Sequence, residues 1–233
     1  MRSTITFSLA AKAKRFDTPR IGHFVLKPSM GNQQIINALR SGNRPIQVVF
    51  NNQQTIAHLA GRVSEQLELD SLSLINEIES PYFMESVNLN REELLSLFLP
   101  NSYEMYWNIS AAEFCQRMQR ENDLFWNENR ESKRKRLNMS RAEVITLAAI
   151  VNEESRKVDE RPRVAGVYLN RLRIGMKLQA DPTVVYAMKR QANDFDLVVR
   201  RVLYKDLETK SPYNCLLYTS PSPRDVEDSR MPS

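Results

Sequence analysis

The residues best suited to proton transfer lie in "RAEVITLAAIVNEESRKV", where two carboxylates, Glu153 and Glu154, close an almost wholly apolar run. Adjacent glutamates at a helix end are ordinarily a solvated face, so any chemistry must be argued from their placement. Ser140 followed by Glu143 is a capping-box pattern: the hydroxyl takes the third amide of a helix while the carboxylate reaches back to the cap. A helix therefore starts at this point. At about 100° per residue, Val144, Leu147, Ala148 and Val151 share one face, widened by Ala149 and Ile150. Glu154 projects from the flank of that stripe, and Glu153 from nearly the opposite side. A carboxylate held against an apolar face loses hydration and keeps its proton near neutral pH, the state a general acid needs. The alternative for Glu154 is an ion pair with Arg156, Lys157 or Arg161.

Downstream, "ERPRVAGVYLNRLRIGMKLQADPTVVYAM" carries a second helical stripe, Val164, Val167, Tyr168 and Leu172, ended by Gly175. The segment after it gathers Gln179, Asp181 and Thr183 around Pro182. Hydrogen-bonding side chains on a rigid turn suit a saccharide, which offers mainly hydroxyls and amides. Asp181 and Thr183 equally suit the cap of a further helix.

The elements upstream read as a small α+β module. Residues 21–27, "IGHFVLK", have the pattern of a short strand, and Ile35, Ile36 and Leu39 mark a helix closed by Gly42. "RPIQVVF" is a β-branched strand, and "IAHLAGRVSEQL" places Ile56, Leu59, Ala60, Val63 and Leu67 at helical spacing. "SLSLINEI" and "NREELLSLFLP" are short amphipathic segments, the second stopped by Pro100. "SAAEFCQRMQRENDLFWNENRESKRKR" is an amphipathic helix whose basic end, "SKRKR", reads as a solvated linker or a phosphate-binding patch.

Composition narrows the function classes. The 233 residues are 42% hydrophobic, enough for a real core, and no run of eighteen apolar residues or convincing signal peptide appears. The net charge of +5 is mild and spread along the chain, without the interleaved aromatics of a nucleic-acid binder, so no nucleic-acid partner is expected. Cys115 and Cys215 lie far apart without a CxxC, and His23 and His58 have no evident partners. No metal site, cofactor or disulfide framework is expected. The last residues, "CLLYTSPSPRDVEDSRMPS", change character abruptly, and their back-translation resembles a transposon-derived sequencing adapter. Residues 215–233 are accordingly read as a non-native tail and set apart from the fold.

Four collinear pieces, "FLPNSYEMYW", "LAAIVNEES", "VAGVYLNRLRIGMKLQADPTVVYA" and "SPYN", resemble the endolytic murein transglycosylases, the YceG-like or MltG family of bacteria. The resemblance covers roughly residues 20–214. It implies an α+β fold in which a small LysM-like α/β module precedes a mixed, helix-rich catalytic domain. Residues 1–19 would follow a missing membrane anchor, 20–100 would form the LysM-like peptidoglycan-binding region, and 101–214 the catalytic region. The family cleaves glycan strands of peptidoglycan internally, between N-acetylmuramic acid and N-acetylglucosamine, and leaves 1,6-anhydro ends. Its catalytic glutamate ends an "IVxxE" pattern, which falls on Glu154; Asn170, Gln179, Asp181, Thr183, Tyr213 and Asn214 become expected glycan contacts or groups orienting Glu154. The implied partners are peptidoglycan strands and cell-wall synthases, and the implied location is the periplasmic face of the inner membrane. Two departures stand out: Met1 reads as an internal start or truncation point, and the tail replaces the family's "GLPPGPI"-like loop. The alternative reading is therefore a peptidoglycan-binding fragment without activity.

Overall fold

The computed structural model describes residues 4–199 and 201–215. It is α+β and divides into two compact units, the first comprising residues up to 88 together with 98–121, the second 89–97 together with the residues from 122 on.

In the first unit α1 (Thr4–Ala13) packs on α2 (Asn32–Ser41). Gly42 ends α2 where a Cβ would lie only 2.5 Å from the Ala38 carbonyl oxygen, so glycine is required there by contact. β1 (Pro45–Phe50) pairs antiparallel with β2 (Asn101–Tyr106), Val48 opposite Tyr103 and Ile46 opposite Met105. Val48, Phe50, Tyr103 and Met105 point inward, and the Phe50 and Tyr103 rings stack at 5.4 Å. Between the strands run α3 (Ile56–Ser64), α4 (Ser71–Ile78) and α5 (Pro81–Val87), capped by Thr55, Asp70 and Ser80. α6 (Ala111–Phe125) buries Phe114, Cys115 and Met118. The sequence boundary at residue 100 thus falls just before β2, whose inward residues need β1 beside them.

The strand expected at 21–27 does not form. His23 donates its amide to Asn43 Oδ1 at 2.9 Å and accepts from the Arg44 amide at 2.9 Å, which spends its polar groups on the loop before β1. Along β1 the outward amide and carbonyl of Val49 are taken by the Gln66 side chain, at 2.9 and 3.0 Å, so a third strand finds that part of the edge occupied.

The second unit begins with a 3-10 turn at Leu94–Leu97, which packs against α8 (Arg141–Glu154). α7 (Glu128–Leu137) precedes α8 and contains "SKRKR", which is helix rather than linker. It buries nothing, but Arg134 is engaged: it pairs with Glu131 at 2.8 Å and donates to the Met139 carbonyl. α9 (Arg161–Arg173) packs on α8, and α10 (Asp181–Ala192) and α11 (Tyr204–Leu207) follow. One apolar cluster joins α8 and α9 to the segment before α10 and to Cys215: Met139, Leu147, Ile150, Val151, Tyr168, Leu178, Ala180 and Cys215. Cys215, grouped with the tail on sequence grounds, is a core residue; residues 216–233 lie outside the described ones. Both cysteines are free and buried.

Candidate active site

Glu154 is the last residue of α8, whose capping box forms as the sequence implied: Ser140 Oγ accepts from the Glu143 amide at 3.1 Å and Glu143 Oε2 from the Ser140 amide at 2.6 Å. Leu147, Ile150 and Val151 are buried, and Glu154 continues their stripe. Burial stops there because the helix does. Ser155 turns extended (φ −132°), so no further turn covers the carboxylate, and Glu154 is exposed, as Glu153 is. The expected dehydration of Glu154 is thus corrected, and surroundings distinguish the two glutamates instead. Glu153 accepts at 3.5 Å from Asn152, its own neighbour, whereas the charge of Glu154 acts on the buried Tyr168 phenol of α9.

The backbone beyond Glu154 is held firmly. Ser155, buried, donates its hydroxyl to Glu160 at 2.9 Å, and its carbonyl accepts from Arg161 Nε at 3.2 Å. Lys157 pairs with the other Glu160 oxygen at 3.1 Å. Two of the cations considered as alternative partners of Glu154 are in this way committed: Lys157 to Glu160 and Arg161 to a carbonyl.

Tyr168 is 4% exposed, its ring within the apolar cluster. Burial, reinforced by the charge of Glu154, pushes the phenol up to about 12; Asp181 acts in the same direction and Arg171 against it. Glu154, Arg171 and Asp181 are thus the charges that act on the Tyr168 phenol. α9 ends as Gly175 predicted: Gly175 (φ +67°) donates to the Leu172 carbonyl and Met176 to that of Arg171, the paired bonds of a Schellman close. The chain then returns past Arg171, which donates to the Leu178 carbonyl.

The remaining sequence-predicted residues divide by role. Gln179 is exposed between buried Leu178 and Ala180 and adopts the left-handed conformation (φ +53°), which costs a non-glycine residue about 1 kcal/mol. Asp181 opens α10 and is exposed. Thr183 is buried; its hydroxyl donates to the Ala180 carbonyl at 2.6 Å and accepts from the Cys215 amide at 3.1 Å. It ties the helix start to the chain segment at 215, which the Gln179 amide also binds, at 3.0 Å to the Cys215 carbonyl. Asn214 is wholly buried and donates to the Leu207 and Thr209 carbonyls at 2.9 Å each, so its place is inside that loop. Asn170 is exposed, accepts from Arg173 at 2.9 Å, and lies about 200° round α9 from Tyr168. Tyr213 donates to Glu92, which also pairs with Arg190 at 2.6 Å; Arg190 sits 4.6 Å from the Tyr213 ring centroid and Tyr186 meets that ring edge-on at 5.2 Å. Burial and the bond to Glu92 raise the Tyr213 phenol.

The profile of the YceG-like family matches residues 1–223. The chain belongs to the YceG-like family. A Bacillus subtilis relative named endolytic murein transglycosylase is 25% identical over 249 aligned residues, covering 100% of this chain and 67% of that protein. A Streptococcus pneumoniae (strain R6) relative of the same name is 24% identical over 241 residues, covering 90% of this chain and 42% of that protein. The chain thus spans about two thirds of the first relative and under half of the second. The crystal structure of a yceG-like protein from Listeria monocytogenes shares the fold, with a TM-score of 0.62 at 24% identity, over 95% of this chain and 77% of that one.

Within this YceG-like site, sequence reasoning placed Tyr168 on a buried stripe and did not connect it with Glu154, whose charge acts on it. The available signal was the polar tip that a tyrosine brings to such a stripe. Arg171, Glu92 and Arg190 gave no such signal. Among the described residues no group of three or more His, Cys, Asp or Glu is placed to hold a metal ion, and no helix is long and apolar enough to cross a membrane.

Proposed function

We propose that this YceG-like protein is a lytic transglycosylase of peptidoglycan in which Glu154 serves as acid and then as base. The observation that carries the reading is Glu154 itself: a carboxylate at an exposed helix end, followed by a backbone that Ser155 holds through Glu160 and Arg161. A general acid for a polymer has to be reachable from the side of a strand and still be fixed in place. Support also comes from the relatives named endolytic murein transglycosylase.

In the proposed reaction protonated Glu154 gives its proton to the oxygen linking N-acetylmuramic acid to N-acetylglucosamine as the bond to the muramoyl C1 breaks and an oxocarbenium-like centre develops. The muramoyl C6 hydroxyl then closes on C1 and loses its proton to the Glu154 carboxylate. The acid is regenerated and a 1,6-anhydro end results. Because the nucleophile belongs to the substrate, one carboxylate completes the cycle. Such acid–base assistance contributes about 10² to 10⁴-fold. Gln179 and Asp181, both exposed, are proposed as glycan contacts, with Asn170 and Tyr213 as outer ones; Thr183 and Asn214 hold the segments that present them. Residues 20–100, completed by β2, are assigned to wall binding as a LysM-like region, and residues from there to 214 to catalysis. Its proposed location is the periplasmic face of the inner membrane, with wall synthases as proposed partners.

Incubation with purified sacculi, followed by mass spectrometry of the released fragments, tests the reading. Anhydro-muramoyl ends are expected. Reducing ends would indicate a hydrolase, and sedimentation with sacculi without any product would favour a wall-binding protein.

A further inference from the structure

We propose that the cleft between Trp126 and α7 is a subsite for the peptide stems of peptidoglycan, Lys135 and Arg136 taking the terminal carboxylate of a stem and Glu128 the amine of its dibasic residue. The naming of the peptide rests on the reading of peptidoglycan as substrate; the preference for a short peptide with an amine and a carboxylate rests on the cleft.

The basic run of α7 is not all of one kind. Arg130 donates to the Phe125 carbonyl at 2.8 Å and lies over the Phe125 ring, and Arg134 is engaged by Glu131 and the Met139 carbonyl. Lys135 and Arg136 are exposed and make no hydrogen bond or ion pair among the described residues. With Glu128, Glu131 and Ser132 they occupy the i, i+3, i+4, i+7 and i+8 positions of one helix face, which borders a cleft of about 640 Å³ lined on its other side by Trp126. Small-ligand sites span about 300–1,000 Å³, so the cleft has room for a short peptide.

Trp126 supplies a second, independent sign of a ligand. Its side chain is 6% exposed, with the Phe125 ring edge-on at 5.4 Å and the Arg141 guanidinium 5.7 Å from its centroid, yet its indole N–H finds no acceptor among the described residues. A buried donor left unpaired is costly, and a peptide settling against the ring brings carbonyl oxygens.

The charges give the cleft a direction. Glu131 accepts from both Arg134 and Arg141, whereas Glu128 is exposed and makes no bond among the described residues. One free carboxylate thus stands at the start of the face and two free cations at its end, about 10–12 Å further along the helix axis. An extended peptide covers that span in about three to four residues. A phosphate polymer would meet Glu128 as a like charge, which favours the peptide over a polyanion.

The test is a titration of the whole chain carrying Trp107→Phe, which leaves Trp126 as its one tryptophan, with the synthetic lysine-type stem pentapeptide. Calorimetry and fluorescence should both give a saturable signal that weakens with salt. Amidating the peptide's C-terminus, or combining Lys135→Gln with Arg136→Gln, should raise Kd about 10-fold. Both side chains are exposed on a helix that buries nothing, so the fold is not at stake. Glu128→Gln should weaken the pentapeptide but not its analogue acetylated on the lysine amine. Absence of binding heat, or a Kd indifferent to these changes, would overturn the proposal, as would tighter binding of inorganic phosphate or an oligonucleotide. On glycan strands the double variant should raise KM where stems are present and change nothing where an amidase has removed them. Saturable pentapeptide binding by a wild type that releases no anhydro ends would sink the functional reading and leave the subsite standing.

Discussion

Thr183→Val removes one oxygen from the site and keeps its shape. The hydroxyl binds in two directions, to the Ala180 carbonyl at 2.6 Å and from the Cys215 amide at 3.1 Å. The Ala180 carbonyl retains a partner, the Thr183 amide at 3.1 Å, but the Cys215 amide, on a residue 3% exposed, loses its own. An orphaned buried donor costs about 1–3 kcal/mol, and valine leaves no cavity to add to it. We expect about 2 kcal/mol, which lowers Tm by about 4–8 °C in a chain of this size. The loss should be local first, since the other tie to Cys215, from the Gln179 amide, remains. Hydrogen exchange at the Cys215 amide should then accelerate about 30-fold, the ratio matching 2 kcal/mol, while amides of α8 keep their protection. A change under about 0.5 kcal/mol, with Cys215 exchange unaltered, would refute the claim that Thr183 binds the chain at 215 to α10.

Ser140→Ala, which deletes the cap of the helix bearing Glu154, should cost about 1 kcal/mol in equilibrium denaturation, and a loss matched by Ser140→Asn would contradict the capping account. Glu131 accepts from Arg134 and Arg141, at 2.8 and 2.6 Å, and those bonds hold its carboxyl below the ordinary value of 4.5. A carboxylate lowered on folding contributes stability above its unfolded value that is lost as pH falls through the folded one. Wild-type Tm should consequently decline more steeply below about pH 4.5 than that of Glu131→Gln, and parallel acid profiles would count against the Arg134–Glu131–Arg141 network.

Signals carried by near neighbours in the chain were legible from the amino-acid order alone. The capping box at Ser140, the helix stop at Gly175, the alternation of β1 and the Leu147–Val151 stripe each depend on residues within a few positions of one another. Features set by distant partners were not. The strand expected at 21–27 is lost to Asn43, and part of the edge it would have joined is taken by Gln66. Glu154 is exposed as Glu153 is, because the helix ends before burial can reach it. Asn214 has the polarity of a ligand group, yet its amide donates to the Leu207 and Thr209 carbonyls and so closes its own loop. Tyr213 and Glu92 meet across 121 residues of sequence, a pairing that no local pattern encodes.

The most direct measurement of the central claim is anhydro-end release from sacculi by Glu154→Gln, with circular dichroism confirming an unchanged fold. The account predicts that turnover falls by at least about 10²-fold while binding to sacculi persists. Release of anhydro ends at the wild-type rate would contradict it.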